Sequence, residues 1–245
     1  FRLNKIIKYK FIPVKLIDQL FFICIVIIQK FLNINFKNLI NEKYNLKVDD
    51  LNKIIDNSNN NLWIKGYWQN ENHFKNISKI IYSHFKINEL QQNLPPKYQN
   101  ILSKINSNSI CICVRNFEEV PLNDIDKLGG ILGMQFYKNG IKMMRQKIAN
   151  PQYFIFSINK SNYKSVLNLP SNTIELNHDN GFDNDLFRLV LLSNFQNHIL
   201  SNSTFYWWSA WLAEKKFKKV NIFCSNNFPN PNTKPERWIS INNIN

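Results

Sequence analysis

From residue 109 onward, short apolar runs alternate with longer segments that have helical spacing. Strands are predicted at 109–114 (SICICV), 153–157 (YFIFS), 198–200 (HIL) and 218–223 (KKVNIF). Helices are predicted at 134–149, 184–194 and 203–215. Alternation of strand and helix predicts an α/β fold with a parallel sheet covered on both faces. Ligands in such sheets bind at the carboxyl ends of the strands.

Before residue 105 the pattern is less regular. Helical spacing occurs at 48–56 and 71–85, an extended segment is expected at 62–69 (LWIKGYWQ), and a double proline interrupts 93–98. The most apolar run, LFFICIVII at 20–28, is shorter than the roughly 20 apolar residues that cross a bilayer, so a buried helix is expected there. The change of pattern predicts an N-terminal domain at 1–105 and a C-terminal domain at 106–245.

The composition narrows the class of protein. The chain has 245 residues, 44% of them hydrophobic, which is enough for a substantial core. Its formal charge of +14 favours polyanions, acidic membranes or phosphorylated small molecules, without choosing among them. A lysine cluster at 215–219 is typical of a solvated helix end. No arginine-rich arm, zinc-finger spacing or RNA-binding aromatic signature occurs, so nucleic acid is not an expected partner.

The residues that bind metals in proteins do not form a convincing motif in this chain. Of the four cysteines, Cys111 and Cys113 share one face of a predicted strand, with no second pair and no histidine nearby in sequence. Buried free thiols are therefore expected. His178 and Asp179 lie in an acidic loop that a turn or a helix cap explains better than a metal site. The predicted metal content is none.

The segment 201–216 (SNSTFYWWSAWLAEKK) places a tight turn between a strand and a helix. Ser203 or Thr204 is a suitable helix N-cap, and the first-turn N–H groups would point towards one position where the helix dipole favours an anion. A diphosphate fits that position, and Phe205 could cover a base or a sugar. Trp207, Trp208 and Trp211 are expected to anchor the helix in the core. The alternative is a capped, buried helix with no ligand.

A second segment, CICVRNFEEVP at 111–121, delivers Arg115 at the end of a predicted strand. A guanidinium at the carboxyl edge of a sheet is suited to bidentate binding of phosphate. Glu118, three residues later, could accept a proton from a sugar hydroxyl. The alternative for Arg115 is a surface salt bridge.

Together these segments resemble the α-1,2-fucosyltransferase family. The matching segments are GYWQNENHF (66–74), the strand leading to Arg115, FYKNGIKMMRQKIANPQYFIFS (136–157) and NDLFRLVLLSNFQNHILSNSTFYWWSAWLA (184–213). The family carries Gly-Tyr-Trp-Gln, His-x-Arg-Arg-Gly-Asp-Tyr, Tyr-Tyr…Ala-Ile…Phe-Phe-Ser-Asp-Asp and Asn-Ser-(Ser/Thr)-Phe-Ser-Trp-Trp-x-Ala-Trp-Leu. The four motifs occur in the same order here, from about residue 63 to the C-terminus.

The resemblance implies transfer of L-fucose from GDP-fucose to the 2-hydroxyl of a terminal galactoside on a glycan acceptor. It implies inversion at the sugar carbon, no essential metal, no cofactor beyond the donor substrate, and two Rossmann-like domains facing a cleft (GT-B-like). Arg115 would hold the β-phosphate, with Glu118 as the base or as a residue that orients the arginine. The implied donor-binding residues are Arg115, Asn116, Ser203, Thr204 and Phe205. Trp68 and Gln69 would shape the acceptor side of the cleft.

The chain departs from the family motifs at several positions. In the arginine motif, Cys113 replaces His, Asn116 replaces the second Arg, Phe117 replaces Gly and Glu118 replaces Asp. Ile158 and Asn159 replace the paired aspartates, and the family's N-terminal Gly-Gly-Leu-Gly-Asn-Gln loop is absent, which fits a truncated start with an incomplete N-terminal domain. Two alternatives follow: a related transferase that uses another sugar nucleotide, and an inactive carbohydrate- or nucleotide-binding relic.

The location expected from the resemblance depends on the source. A bacterial enzyme would lie at the cytoplasmic face of the membrane, where a basic surface favours peripheral association with acidic lipids. A eukaryotic enzyme would lie in the Golgi and need an anchor before Phe1.

Overall fold

The computed structural model describes residues 70–241 and two short strands before them, β1 (Leu39–Asn41) and β2 (Trp63–Lys65). The chain divides into two compact units, 1–78 and 79–245. In the first unit, β1 and β2 pair in parallel, and two short 3₁₀ helices follow at Glu71–His73 and Lys75–Ile77. The apolar run 20–28, Cys24 and the predicted helix at 48–56 lie outside the described residues. The predicted domain boundary near residue 105 stays a prediction.

The second unit is built on one parallel sheet with helices between its strands. Its strands are β3 (Ser109–Cys113), β4 (Gln152–Phe156), β5 (Ile174–Leu176), β6 (Asn197–Leu200), β7 (Asn221–Cys224) and β8 (Ile239–Ser240). Its helices are α1 (Ser78–His84), α2 (Ile87–Gln92), α3 (Pro96–Leu102), α4 (Leu122–Ile125), α5 (Met134–Arg145), α6 (Tyr163–Val166), α7 (Asp185–Leu192) and α8 (Thr204–Lys216). A 3₁₀ turn, Asp126–Leu128, follows α4.

The order of the strands is β5-β4-β3-β6-β7-β8, and every neighbouring pair is parallel. The chain runs outward from β3 to β5 on one side, and from β6 to β8 on the other. The direction of winding therefore reverses between β3 and β6. This reversal is the topological switch point of a Rossmann-like sheet, and it confirms the predicted α/β class.

The core lies on both faces of the central strands. Every residue of β3 and β6 is buried. Burial of both faces explains why β3 reads as an apolar run with no alternation, whereas β6 also buries the polar side chains of Asn197 and His198. Helix α5 presents Tyr137, Ile141 and Met144 to this core. Gly140 of the same helix faces Ile199 so closely that an added Cβ would lie 2.9 Å from its side chain. The glycine lets α5 approach β6.

Several elements differ from the sequence prediction. The predicted helix at 71–85 is interrupted, because two 3₁₀ helices precede α1 and only Ser78–His84 is α-helical. The double proline was expected to interrupt 93–98, but Pro96 begins α3. At the first position of a helix the missing N–H of proline would have no partner within the helix in any case. The two edge strands β5 and β8 were not predicted, because three- and two-residue strands carry almost no pattern.

His198 in β6 is fully buried and gives the fold a specific sensitivity to acid. Its Nε2 lies 3.0 Å from the carbonyl oxygen of Phe195, and its Nδ1 lies 3.1 Å from Sγ of Cys111. The carbonyl needs a donor, so the neutral ring carries its proton on Nε2 and accepts from the thiol on Nδ1. Burial lowers the pKa of His198 from 6.5 to about 4.

We expect the free energy of unfolding to fall as the pH drops from 6.5 to 4. In that window the unfolded chain binds a proton on His198, whereas the folded chain does not. The loss amounts to about 3 kcal/mol over the window, or roughly 1.4 kcal/mol per pH unit. Urea unfolding at about pH 7.5, 6.5, 5.5 and 4.5 measures most of this loss, with His198→Gln as the comparison. The same pH slope in both proteins would assign the sensitivity to other groups.

Candidate functional site

The site is built where β3 and β6 end side by side. Cys113 pairs with Leu200 as the last residues of the two strands, and the N–H of Ser201 donates to the carbonyl of Cys113 at 3.2 Å. The loops that start at residues 114 and 201 therefore leave the sheet from adjacent strands. This edge is the crevice at the switch point where parallel sheets bind their ligands.

Tyr206, in the first turn of α8, fixes the start of that helix above the strand ends. Its hydroxyl donates to the carbonyls of Val114, at 3.2 Å, and Phe156, at 3.4 Å. Burial raises the pKa of Tyr206, so its hydroxyl keeps its proton and remains a donor. Val114 directly precedes Arg115. The structure thus brings the start of α8 and the backbone leading to Arg115 to the same place.

Ser203 is the N-cap residue of α8, as predicted, with φ −122° and ψ 130°. Its hydroxyl makes no capping hydrogen bond. Thr204 and Phe205 are half-buried, whereas Ser203 itself is buried. The first turn of α8 therefore directs backbone N–H groups at the sheet edge without a side-chain cap of its own.

The three tryptophans of α8 divide into two kinds. Trp207 and Trp211 are fully buried, which confirms their prediction as core anchors. Trp208 is half-buried between Phe85 and Trp211, with ring centroids 5.4 Å from each. The aromatic residues of this segment thus serve mainly to seat the helix.

Arg115 lies in the loop after β3, with 16% of its side chain exposed. Its Nη1 donates to Oε2 of Glu119 at 2.8 Å, and its Nη2 donates to Oε1 of the same residue. Oε2 of Glu118 is 3.9 Å from Nη1. The guanidinium also lies over the ring of Phe117, 4.8 Å from its centroid. The predicted alternative, a salt bridge, is therefore present, and its partner is Glu119.

The other residues of the arginine motif have structural contacts of their own. Phe117 is buried and adopts φ +57°, a left-handed conformation that glycine adopts most easily, which gives a physical reason for the family's glycine at this position. The side-chain amide of Asn116 donates to the hydroxyl of Tyr163 at the start of α6. Asn116 therefore links the loop after β3 to the segment after β4. Trp68 and Gln69 lie outside the described residues.

Asn202 ties three loops of this edge together and was not singled out from the sequence. Its Nδ2 donates to the carbonyls of Gly130 at 2.9 Å and Leu128 at 3.1 Å, and the carbonyl oxygen of Asn227 lies 3.3 Å from the same nitrogen. Gly129, at φ +93°, has no room for a Cβ, which would lie 1.6 Å from the carbonyl oxygen of Asn227. The only sequence signal for this role is that Asn202 opens the Asn-Ser-Thr-Phe motif.

No group of three or more potential metal ligands occurs among the residues that the structure describes. The described cysteines, Cys111, Cys113 and Cys224, are free and buried. His198 contacts Cys111 although the two are far apart in sequence, which sequence spacing could not reveal. Within the acidic loop, Asp179 accepts from the N–H of Lys160 at 2.6 Å, and Asn184 caps α7.

A parallel sheet whose winding reverses between β3 and β6 is consistent with a Rossmann-like fold, and sheets of this class bind their ligands at this edge. The comparison with known families agrees. The chain belongs to glycosyl transferase family 11, whose model matches residues 8–242.

Two curated proteins of Escherichia coli are similar to the chain. One, described as "Alpha-1,2-colitosyltransferase", is 27% identical over 150 residues, which is 60% of this chain and 50% of that protein. The other, "O-antigen biosynthesis glycosyltransferase WbnK", is 24% identical over 181 residues, 72% of this chain and 55% of that protein. The chain thus spans about half the length of these relatives. No solved structure matches it significantly.

The structure bears on one kind of membrane attachment, a helix that spans the bilayer. Among the described residues, no helix combines the length and the apolar character needed to span a bilayer.

Proposed function

We propose that the chain is a glycosyltransferase that moves L-fucose from GDP-fucose to the 2-hydroxyl of a galactose-terminated glycan. The observation that carries the proposal is the joint position of Arg115 and α8 at the switch point, where Tyr206 bonds the carbonyl of Val114. A guanidinium and the first-turn N–H groups of a helix at one sheet edge would suit a diphosphate. Membership of the family supplies the class of reaction.

The proposed reaction is a single displacement with inversion. The acceptor oxygen forms a bond to the anomeric carbon of fucose, the bond from that carbon to the β-phosphate oxygen breaks, and the acceptor proton passes to a base. Negative charge develops on the departing GDP. Arg115 and the first turn of α8 would stabilise that charge, which is the main electrostatic demand of the step.

Glu118 had two predicted roles, and its position favours one of them. In an inverting displacement the base lies on the opposite side of the sugar from the leaving phosphate. Oε2 of Glu118 is 3.9 Å from Nη1 of Arg115, the group proposed to hold that phosphate. We therefore propose that Glu118 orients Arg115. The acceptor-side roles of Trp68 and Gln69, the two-domain arrangement and the absence of a metal requirement remain part of the proposal, because they rest on the family resemblance.

A second candidate is a transferase for another GDP-sugar. Asn116 stands where the family motif has a second arginine, so one expected cation is missing from the donor site. Its side-chain amide donates instead to the hydroxyl of Tyr163. The relative described as a colitosyltransferase supports the same alternative. Colitose is the 3-deoxy counterpart of fucose, so the two donors would share the diphosphate site and differ at one hydroxyl.

The experiment that tests the proposal has two stages. Isothermal titration with GDP is expected to show binding, because GDP carries the diphosphate that the proposed site would hold. Incubation with GDP-fucose and lactose is then expected to release GDP and form a fucosylated product, with GDP-colitose as the competing donor. Binding of GDP without turnover of either donor would identify a nucleotide-binding relic. Failure to bind GDP at all would overturn the proposal.

A further inference from the structure

The ion pair between Arg115 and Glu119 lies where the proposed function requires an anion. Nη1 and Nη2 of Arg115 face the two carboxylate oxygens of Glu119, one nitrogen to each oxygen. These are nitrogens that a guanidinium presents to a phosphate. Glu119 therefore holds the position that two oxygens of a diphosphate would take.

A turn in the backbone produces this pairing outside any helix. Phe117 adopts its left-handed conformation, and the N–H of Val120 donates to the carbonyl of Phe117 at 2.9 Å. The turn folds Glu119 back over Arg115, while the ring of Phe117 supports the guanidinium. Glycine at 117 would leave the turn possible but would remove that support.

The two partners differ in their access to solvent. The Glu119 side chain is 56% exposed, whereas the Arg115 side chain is 16% exposed. An anion arriving from solvent can therefore displace the carboxylate while the guanidinium stays on Phe117. A glutamate carboxylate is fully charged at neutral pH, and the hydrogen bonds from Arg115 lower the pKa of Glu119 further, so the carboxylate competes as a full charge.

We infer that Glu119 is an internal competitor for the diphosphate and sets how tightly the protein holds its nucleotide. This inference rests on the proposed function. The carboxylate neutralises Arg115 until a diphosphate replaces it, and it returns to the arginine as the nucleoside diphosphate leaves. It weakens the binding of donor and product alike, and thereby speeds product release. Because one exposed carboxylate contributes little, the expected effect is about fivefold in affinity.

Glu119→Gln tests the inference, with Asp124→Asn as the matched control. Both changes remove one negative charge from the connection between β3 and α5, but Asp124 pairs with Lys127 and not with Arg115. Titration with GDP at one ionic strength is expected to show about fivefold tighter binding for Glu119→Gln. Asp124→Asn is expected to stay within about twofold of the unmodified protein.

Kinetic constants distinguish competition for the diphosphate from a purely structural role of Glu119. With GDP-fucose as donor, Glu119→Gln is expected to lower both the donor KM and the inhibition constant of GDP by the same factor. Unchanged or weaker GDP binding by Glu119→Gln, in a protein that does bind GDP, would overturn the inference and leave the proposed function standing. If neither the unmodified protein nor Glu119→Gln bound GDP, both would be wrong.

Discussion

Replacing Arg115 with alanine is expected to reduce transfer from GDP-fucose by about 100- to 1,000-fold in kcat/KM. The proposed role of this guanidinium is to stabilise charge on the departing diphosphate, and removal of one such donor has an effect of this size in other enzymes. Binding of GDP is expected to weaken by about 10- to 100-fold, because a charge-assisted hydrogen bond contributes roughly 1.5–3 kcal/mol. Isothermal titration and a coupled assay of GDP release measure the two effects.

Arg237→Ala is the control for the Arg115 prediction. Arg237 also pairs with a carboxylate through two nitrogens, but its partner is Glu214, in the last turn of α8 and at the opposite end of that helix from Ser203. Both variants lose an arginine that pairs with a carboxylate through two nitrogens, and the two arginines lie at different places in the fold. We expect Arg237→Ala to retain transfer. Equal activity of the two variants would show that Arg115 forms a surface salt bridge and nothing more.

Replacing Trp207 with alanine is expected to destabilise the fold by about 4 kcal/mol, the usual cost of truncating a fully buried tryptophan. Trp207 is fully buried, its indole N–H donates to the carbonyl of Thr233 at 2.8 Å, and its ring lies 5.6 Å from that of Trp238. The residue connects α8 to the segment between β7 and β8. Thermal unfolding is expected to shift down by roughly 8–16 °C.

Trp208→Ala provides the comparison within the same helix turn. Trp208 is half-buried, so its truncation is expected to cost about 2 kcal/mol, in proportion to the smaller apolar area it removes from water. Urea unfolding of both variants separates the two values. A larger loss for Trp208 than for Trp207 would contradict the assignment of Trp207 as the main anchor of α8.

The prediction of the sheet from sequence succeeded where strands are central. β3 is buried on both faces and so leaves a clear apolar run in the sequence, and α5 keeps one apolar stripe facing the core. The edge strands β5 and β8 left no such signal, since only two or three residues form each. The interruption of the helix predicted at 71–85 was also not visible in the spacing of its apolar residues.

The candidate site divides in the same way. Arg115 and Ser203 could be selected from sequence because each follows a predicted strand, and parallel strands end at a common edge. Glu119 could not be selected as the partner of Arg115, because their pairing depends on the left-handed conformation of Phe117. Glu118 was the carboxylate predicted from the sequence to act beside the arginine. The turn brings Glu119 into bidentate contact and leaves Glu118 at 3.9 Å.

The amino-acid sequence was enough to predict the alternation of strand and helix, and it contains the motifs that place the chain in its family. Those properties depend on residues near each other in the chain, where hydrophobic period and local turn chemistry act directly. Three further features are visible only in the folded structure: the order of strands, the contact between Cys111 and His198, and the anchoring of α8 by Tyr206 on the carbonyl of Val114. Each of these joins residues distant in sequence, and such pairings follow from how the whole sheet packs.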